Sequence, residues 1–284
     1  VDRLSGRKGF CNMPALPVMV ARAAAHMWEE PCISGTRGSG AVFFSGCPLH
    51  CIFCQNRAIS DGIAGKVITK ERLSRIFLEL QDKGAANINL VTAGQYSKQV
   101  NEAVCDARKD GLLLPVIVNS GGYESEEALE LLGEVADVWL PDLKYMNSET
   151  AEKFSHAGNY PEVAKKAIDY MLSKSEEVSF DADGYIKKGV IVRHLVLPGH
   201  VQESMDIVEY LYRTYGDSIY LSIMNQYTPP AEPLPYRELN RRLTSYEYDK
   251  VVDFALSLGV KNAYIQERGT AKESFIPAFD YEGV

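Results

Sequence analysis

No apolar run in this 284-residue sequence approaches the ~20 residues that a membrane-spanning helix requires, so no membrane association is expected. Positive charge is also in short supply, with 30 Lys and Arg against 38 Asp and Glu and a formal net charge of −8. Sequence-independent binding of nucleic acid needs many cations aimed at phosphates, so no nucleic-acid partner is expected either. The local run Arg237, Arg241 and Arg242 reads as one solvated helix face. Internal repeats and low-complexity linkers are missing. The sequence opens at Val1 without Met and without a secretory-signal pattern, which reads as a processed or trimmed start. Cysteine is sparse, six residues in all, with Cys11, Cys32 and Cys105 scattered. That is no framework of the kind that staples small secreted domains, and the expected compartment is the cytoplasm.

Hydrophobic residues at 46% and charged residues at 24% are enough to bury one sizeable core. Residues 1–40 are rich in Gly and Pro and are expected to be an irregular segment packed on the main domain. A β/α rhythm then begins. Short apolar runs at 41–46 (AVFFSG), 87–92 (NINLVT), 115–119 (PVIVN), 137–142 (DVWLPD), 189–197 (GVIVRHLVL) and 220–225 (YLSIMN) predict strands, with a seventh at 263–266. Between them, 71–84, 97–111, 125–133, a part of 149–173, 203–215 and 246–258 predict helices. Leu73, Ile76, Phe77 and Leu80 form an apolar stripe on the first of these, and Ser125 opens the third. Apolar strands alternating with helices mean a parallel sheet with helices outside it. Six or seven units, where a complete barrel needs eight, predict an α/β fold of the incomplete (β/α)6 TIM-barrel type over 41–268, followed by a tail at 269–284. A doubly wound sheet remains open on periodicity alone; in either closure the site belongs at the carboxyl ends of the strands. The four prolines within 227–236 (YTPPAEPLPY) predict a loop.

The chemistry is concentrated in 45–56, SGCPLHCIFCQN, directly after the first expected strand. Cys47, Cys51 and Cys54 stand at C-x3-C-x2-C, a spacing that wraps one cubane and leaves its fourth iron without a protein ligand. An iron left open in this way binds a small molecule through nitrogen and oxygen donors. Structural zinc completed by His50, or a four-cysteine cluster completed by Cys11 or Cys32, are the alternatives. A dithiol of Cys51 and Cys54 leaves Cys47 without a role. The Gly-rich 35–40 (GTRGSG) precedes a strand instead of following one, which is the wrong context for a nucleotide loop.

C-x3-C-x2-C with an aromatic residue, Phe53, before its last cysteine resembles the signature of the radical S-adenosylmethionine (SAM) superfamily. Gln55, Asn56 and Arg57 after it, and 28–46 (WEEPCISGTRGSGAVFFSG) before it, are similar to an activase-like branch related to the pyruvate formate-lyase activating enzymes. The resemblance covers about 9–266. It implies a [4Fe–4S] cluster and SAM as cofactors, with a one-electron donor of flavodoxin or ferredoxin type. SAM is then cleaved to methionine and a 5′-deoxyadenosyl radical that abstracts hydrogen. A glycyl radical enzyme is the implied partner; a peptide or small metabolite is the alternative substrate, and a non-catalytic iron–sulfur or zinc protein the alternative class. Related chains carry further cysteines upstream, which would make Cys11 a remnant of a second group; here Cys11, Cys32 and Cys105 are read as ordinary thiols.

The resemblance also implies a cofactor cradle at the strand ends. Thr92 and Gly94 occupy the place of a Gly-Gly-Glu segment that contacts the methionine amino group, with Gln95 as the nearest polar side chain. Asn119 and Ser120 match a segment that presents polar groups to SAM. Asp142 and Lys144 match an activase DLK segment expected to orient the methionine carboxylate, a cation or the substrate. Arg193 interrupts an apolar strand, where a guanidinium needs an anionic partner; the resemblance supplies the SAM carboxylate. Leu195 shares its face and is expected against adenine, whereas His194 points to the opposite face as a packed histidine. Phe53 and Gln55 are expected at the adenine edge, and Asn225 and Gln226 at adenine or substrate.

Overall fold

The computed structural model describes residues 2–266 and 277–284. Residues 267–276 lie outside that description, and with them the end of the expected barrel segment and the start of the expected tail. Along the chain run β1 (Val18–His26), α1 (Pro31–Ser34), β2 (Ser39–Phe44), α2 (Arg57–Ser60), β3 (Lys66–Ile68), α3 (Lys70–Asp82) and β4 (Ile88–Val91). Then come α4 (Ser97–Lys109), β5 (Val116–Ser120), α5 (Glu126–Gly133), β6 (Val138–Pro141), α6 (Ser148–Ser155), α7 (Tyr160–Lys174) and β7 (Ser179–Phe180). The last described elements are β8 (Ile186–Leu195), α8 (Val201–Tyr215), β9 (Tyr220–Met224), α9 (Ser245–Leu258) and β10 (Ala263–Ile265).

The local chemistry accounts for the helices. Thr69 caps α3 by accepting from the Arg72 amide, and Leu73, Ile76, Phe77 and Leu80 are its buried stripe. Ser125 caps α5 in the same way through the Ala128 amide. A reciprocal pair of bonds between Thr244 and Glu247 opens α9, and Gly259 in the left-handed conformation ends it. Arg241 and Arg242 precede that helix and do not ride on one: Arg241 makes two 2.7 Å bonds to the Glu247 carboxylate.

Parallel ladders join β2, β4, β5, β6, β8, β9 and β10. The sheet continues from β2 through antiparallel β1 to β3, and its order β10-β9-β8-β6-β5-β4-β2-β1-β3 leaves it open. Side chains alternate between its faces. Leu90, Val118, Trp139, Val190, Val192, Leu221 and Ile223 face outward into one core shared with the helices. Ile117, Val138, Leu140 and Ile191 face inward and pack against Cys32 and Ile33 of α1, which plugs the floor. Helices on the outside and a side-chain plug inside are the architecture of an incomplete barrel.

Residues 1–40 depart from the expected irregular segment, because β1 and α1 lie within them. The run VMVARAAAH lacks the clean alternation that marks a strand, and its extended state is set by pairing with β2. Residues 277–284 return to β1: the Ala23 amide donates to the Glu282 carbonyl (2.8 Å), and Arg22 meets Asp280 (2.7 Å) and Glu282.

Candidate active site

The cysteine loop leaves β2 through Gly46, at φ +90°. A side chain there would strike Met13 and come within 2.6 Å of the Cys11 carbonyl, so glycine is required both by dihedral and by space. The Gly46 amide donates to the Ile59 carbonyl (2.7 Å), the Cys47 amide to Ser60 (3.1 Å) and the Ile52 amide to Phe154 (2.9 Å). Gln95 donates to the Ser45 and Gly46 carbonyls at 3.0 and 2.8 Å. Gln95 therefore anchors the loop. Phe53 is held edge-on between Phe154 and Tyr227, and the Gln55 amide group donates to the Gln226 carbonyl at 2.7 Å.

All six cysteines are free, and Cys47, Cys51 and Cys54 are half-buried. Burial pushes the Cys47 thiol up to about 12 and the Cys54 thiol to about 11, each raised further by its neighbouring cysteines. The Ser155 hydroxyl donates to the Cys51 sulfur at 3.0 Å. Three soft sulfurs on one pinned loop, with a hydroxyl and the Lys144 ammonium nearby, are the donor type an iron–sulfur cluster takes, while among the described residues no group of three or more cysteine, histidine or carboxylate ligands is already gathered around a metal position. His50 is committed elsewhere, donating to the Phe10 carbonyl (2.7 Å) and lying 3.4 Å from Asp61. Cys32 is in the floor plug, and the Cys11 thiol points to the Met13 carbonyl.

Cys51 and Cys54 open onto a cavity of about 200 Å³ at the carboxyl ends of the strands. Phe53, Gln55, Asn119, Asp142, Lys144, Arg193 and Leu195 line it. Thr92, Gly94, Ser120 and Asn225 are not in that lining. Gly94 packs on Glu124, the Ser120 hydroxyl accepts from the Gly122 amide, and Asn225 bonds to Gln266. Glu29, Trp28, His26 and Met224 line the cavity without having been expected there. The doublet Glu29-Glu30 before Pro31 was the available signal: two adjacent carboxylates in an otherwise uncharged stretch, 23–36.

A charged network crosses the cavity wall. Parallel pairing places Asp142 beside Arg193, and Arg193 Nε donates to Asp142 Oδ1 at 3.0 Å. Its other two nitrogens donate to Glu29 Oε2 (3.1 Å) and Asn119 Oδ1 (2.6 Å). Lys144 Nζ lies 2.5 Å from Asp142 Oδ2, and Asn89 donates to Glu29 Oε1 at 3.1 Å. The Arg193, Glu29 and Asp142 side chains are only 13%, 10% and 15% exposed, so these charges depend on one another. Burial would raise the Asp142 carboxyl, but Lys144 and Arg193 outweigh it and hold it low. At Glu29, by contrast, burial prevails, and its carboxyl is raised despite Arg193. The anionic partners that Arg193 requires are thus supplied by the chain itself. His194 faces outward as expected, bonded to the Leu143 carbonyl (2.8 Å), and burial lowers it to about 4, which leaves it neutral.

Glu124 stands behind the network. Burial pushes its carboxyl up to about 7, opposed by the Ser120 hydroxyl, and its Oε2 has no hydrogen-bond partner among the described residues. A carboxyl raised above its ordinary 4.5 contributes stability that is fully present below about 4.5 and is lost as pH rises through 7. The urea midpoint of the wild type is therefore expected to fall between pH 5 and pH 8 relative to that of Glu124→Gln. Parallel pH profiles for the two proteins would refute this.

The profile of the Radical SAM superfamily matches residues 41–211, more than half of the chain. The chain is 30% identical over 256 residues to the uncharacterized protein MJ0674 of Methanocaldococcus jannaschii, covering 87% of this chain and 69% of that one. It is 28% identical over 166 residues to pyruvate formate-lyase 1-activating enzyme of Escherichia coli, covering 56% of this chain and 61% of that enzyme. SuiB of Streptococcus suis, solved bound to S-adenosylmethionine, superposes with a TM-score of 0.57 over 79% of this chain and 49% of that one. At 12% identity this last likeness speaks for the fold alone. With the motif, the open parallel barrel and the profile in agreement, the chain belongs to the radical SAM superfamily of enzymes.

Proposed function

We propose that this chain holds a [4Fe–4S] cluster on Cys47, Cys51 and Cys54 and uses it to cleave SAM reductively for hydrogen abstraction. The carrying observation is that the three-cysteine loop opens directly onto a cavity whose wall is a paired charge network. Bound and reduced, the cluster would supply the electron that splits SAM into methionine and a 5′-deoxyadenosyl radical. The chain's own residues then bind and orient. Lys144, which spends one donor on Asp142 and has two more, is assigned to the methionine carboxylate. Arg193 and Glu29 hold Asp142 in place for it, a positioning task, since their charges are already matched. Phe53, Gln55, Leu195 and Met224 form the apolar and amide wall assigned to adenine. Asn119 bridges Arg193 and the cavity. Thr92, Gly94, Ser120 and Asn225 are assigned to shaping the strand ends around this site.

The finer reading is activation of a glycyl radical enzyme, supported by the 28% identity to the Escherichia coli activating enzyme. A flavodoxin- or ferredoxin-type donor in the cytoplasm would supply the electron. Among the described residues no helix is long and apolar enough to cross a membrane. Anaerobic reconstitution with iron and sulfide, followed by SAM and dithionite, is expected to yield 5′-deoxyadenosine. An intact cluster that forms none would overturn the reading. A glycyl-radical EPR signal in a candidate partner separates activation from action on a peptide or small metabolite.

A further inference from the structure

A second cavity, of about 350 Å³, adjoins the first and shares Trp28, Glu29, Arg193, Met224 and Gln226 with it. It lies between residues 27–31 and the inner faces of β9 and β10, and none of the three clustered cysteines lines it. Met27, Trp28, Met224 and Ile265 make its walls largely apolar. Glu30 lines it too, is only 8% exposed, and its Oε2 has no hydrogen-bond partner among the described residues. A buried carboxylate oxygen without a donor is costly, and the cost is removed by a ligand that brings one.

The charges select the kind of donor. Glu29, Glu30 and Asp142 place three carboxylates around two cations, Arg193 and Lys144. Glu29 and Asp142 already hold Arg193, and Lys144 is held by Asp142, so Glu30, helped by a Ser222 hydrogen bond, is the carboxylate with no bonded cation among the described residues. Burial raises its carboxyl and the nearby Glu29 raises it further, although Arg193 works the other way. A cation arriving beside it would relieve both effects. Resting on the cofactor reading above, we propose that this cavity is the substrate site and takes a primary amine on an apolar stem, its ammonium paired with Glu30. A stem between Trp28 and Met224 lies at the boundary shared with the first cavity, where a hydrogen atom would have to be presented.

The test uses the full chain, with and without reconstituted cluster. n-Pentylamine and Nα-acetyl-lysine amide are titrated against their neutral isosteres, n-pentanol and Nα-acetyl-6-hydroxynorleucine amide. Binding is read by calorimetry and by fluorescence of Trp28, the second tryptophan, Trp139, being buried in the outer core. Each amine is expected to bind at least about tenfold more tightly than its isostere, and Glu30→Gln is expected to remove that preference. Saturating SAM is expected not to displace the amine. Tighter binding of the lysine amide identifies a peptide side chain as the source, and tighter binding of pentylamine a free amine; both support the proposal. Equal affinity for amine and isostere, or no saturable binding by the wild type, would overturn it. So would a preference retained in a folded Glu30→Gln, or displacement by SAM, which would give Glu30 to the cofactor. Formation of 5′-deoxyadenosine is measured on the same preparation. A chain that forms none yet discriminates the amines loses the cofactor reading and with it the substrate role, and keeps only the amine site at Glu30.

Discussion

Cys51→Ala is expected to reduce 5′-deoxyadenosine formation at least about a thousandfold, equivalent to roughly 4 kcal/mol of barrier. Cys51 is the middle ligand of the proposed three, opens onto the cavity, and is the sulfur to which Ser155 donates. Without it two thiolates remain on the loop, fewer than the three on which the proposed site is built. The loop itself keeps its anchors, because the bonds through Gly46, Cys47, Ile52 and Gln95 involve backbone groups that the substitution leaves in place. The variant should therefore show a wild-type circular dichroism spectrum together with low iron and sulfide content. A variant that retained both a full cluster and product formation would remove Cys51 from the site.

Arg193→Met is expected to destabilise the fold by about 3–5 kcal/mol, a fall in Tm of roughly 6–20 °C. The guanidinium binds Asp142, Glu29 and Asn119 at 3.0, 3.1 and 2.6 Å, and its removal leaves two buried carboxylates facing each other across the barrel. The attraction lost is smaller than the desolvation left uncompensated, so the single change costs more than the pair is worth. Adding Glu29→Gln removes the excess charge and leaves Asp142 paired with Lys144, and the double variant is expected to recover most of the lost Tm. Thermal melts of the two variants decide the matter: an equal Tm for single and double would show that charge burial is not the cause.

The repeating units were legible because their signals are local. An apolar stripe at helical spacing and a capping residue suffice for α3 and α5, and the parallel strands are short apolar runs within two or three residues of their observed limits. β1 was not legible, since Ala-rich VMVARAAAH has no preference of its own strong enough to announce a strand. The cysteine loop was legible as spacing. Its anchors were not: Gln95 and Phe154 reach it from distant elements. At Arg193 the pattern predicted an anionic partner, and the identity of that partner lay beyond any local signal.

Local pattern thus decided the class of fold, the cluster motif and the inward face of Arg193, because strand parity and ligand spacing are properties of a few consecutive residues. Tertiary structure alone decided the site's charge balance. Register between β6 and β8 brings Asp142 beside Arg193, and the segment after β1 folds into the barrel to deliver Glu29 to the same guanidinium across 164 residues of sequence. Buried charges must be matched in space, and the residues that match them need not be neighbours in the chain. The same fold-back leaves Glu30 in the second cavity with one oxygen that no described residue bonds.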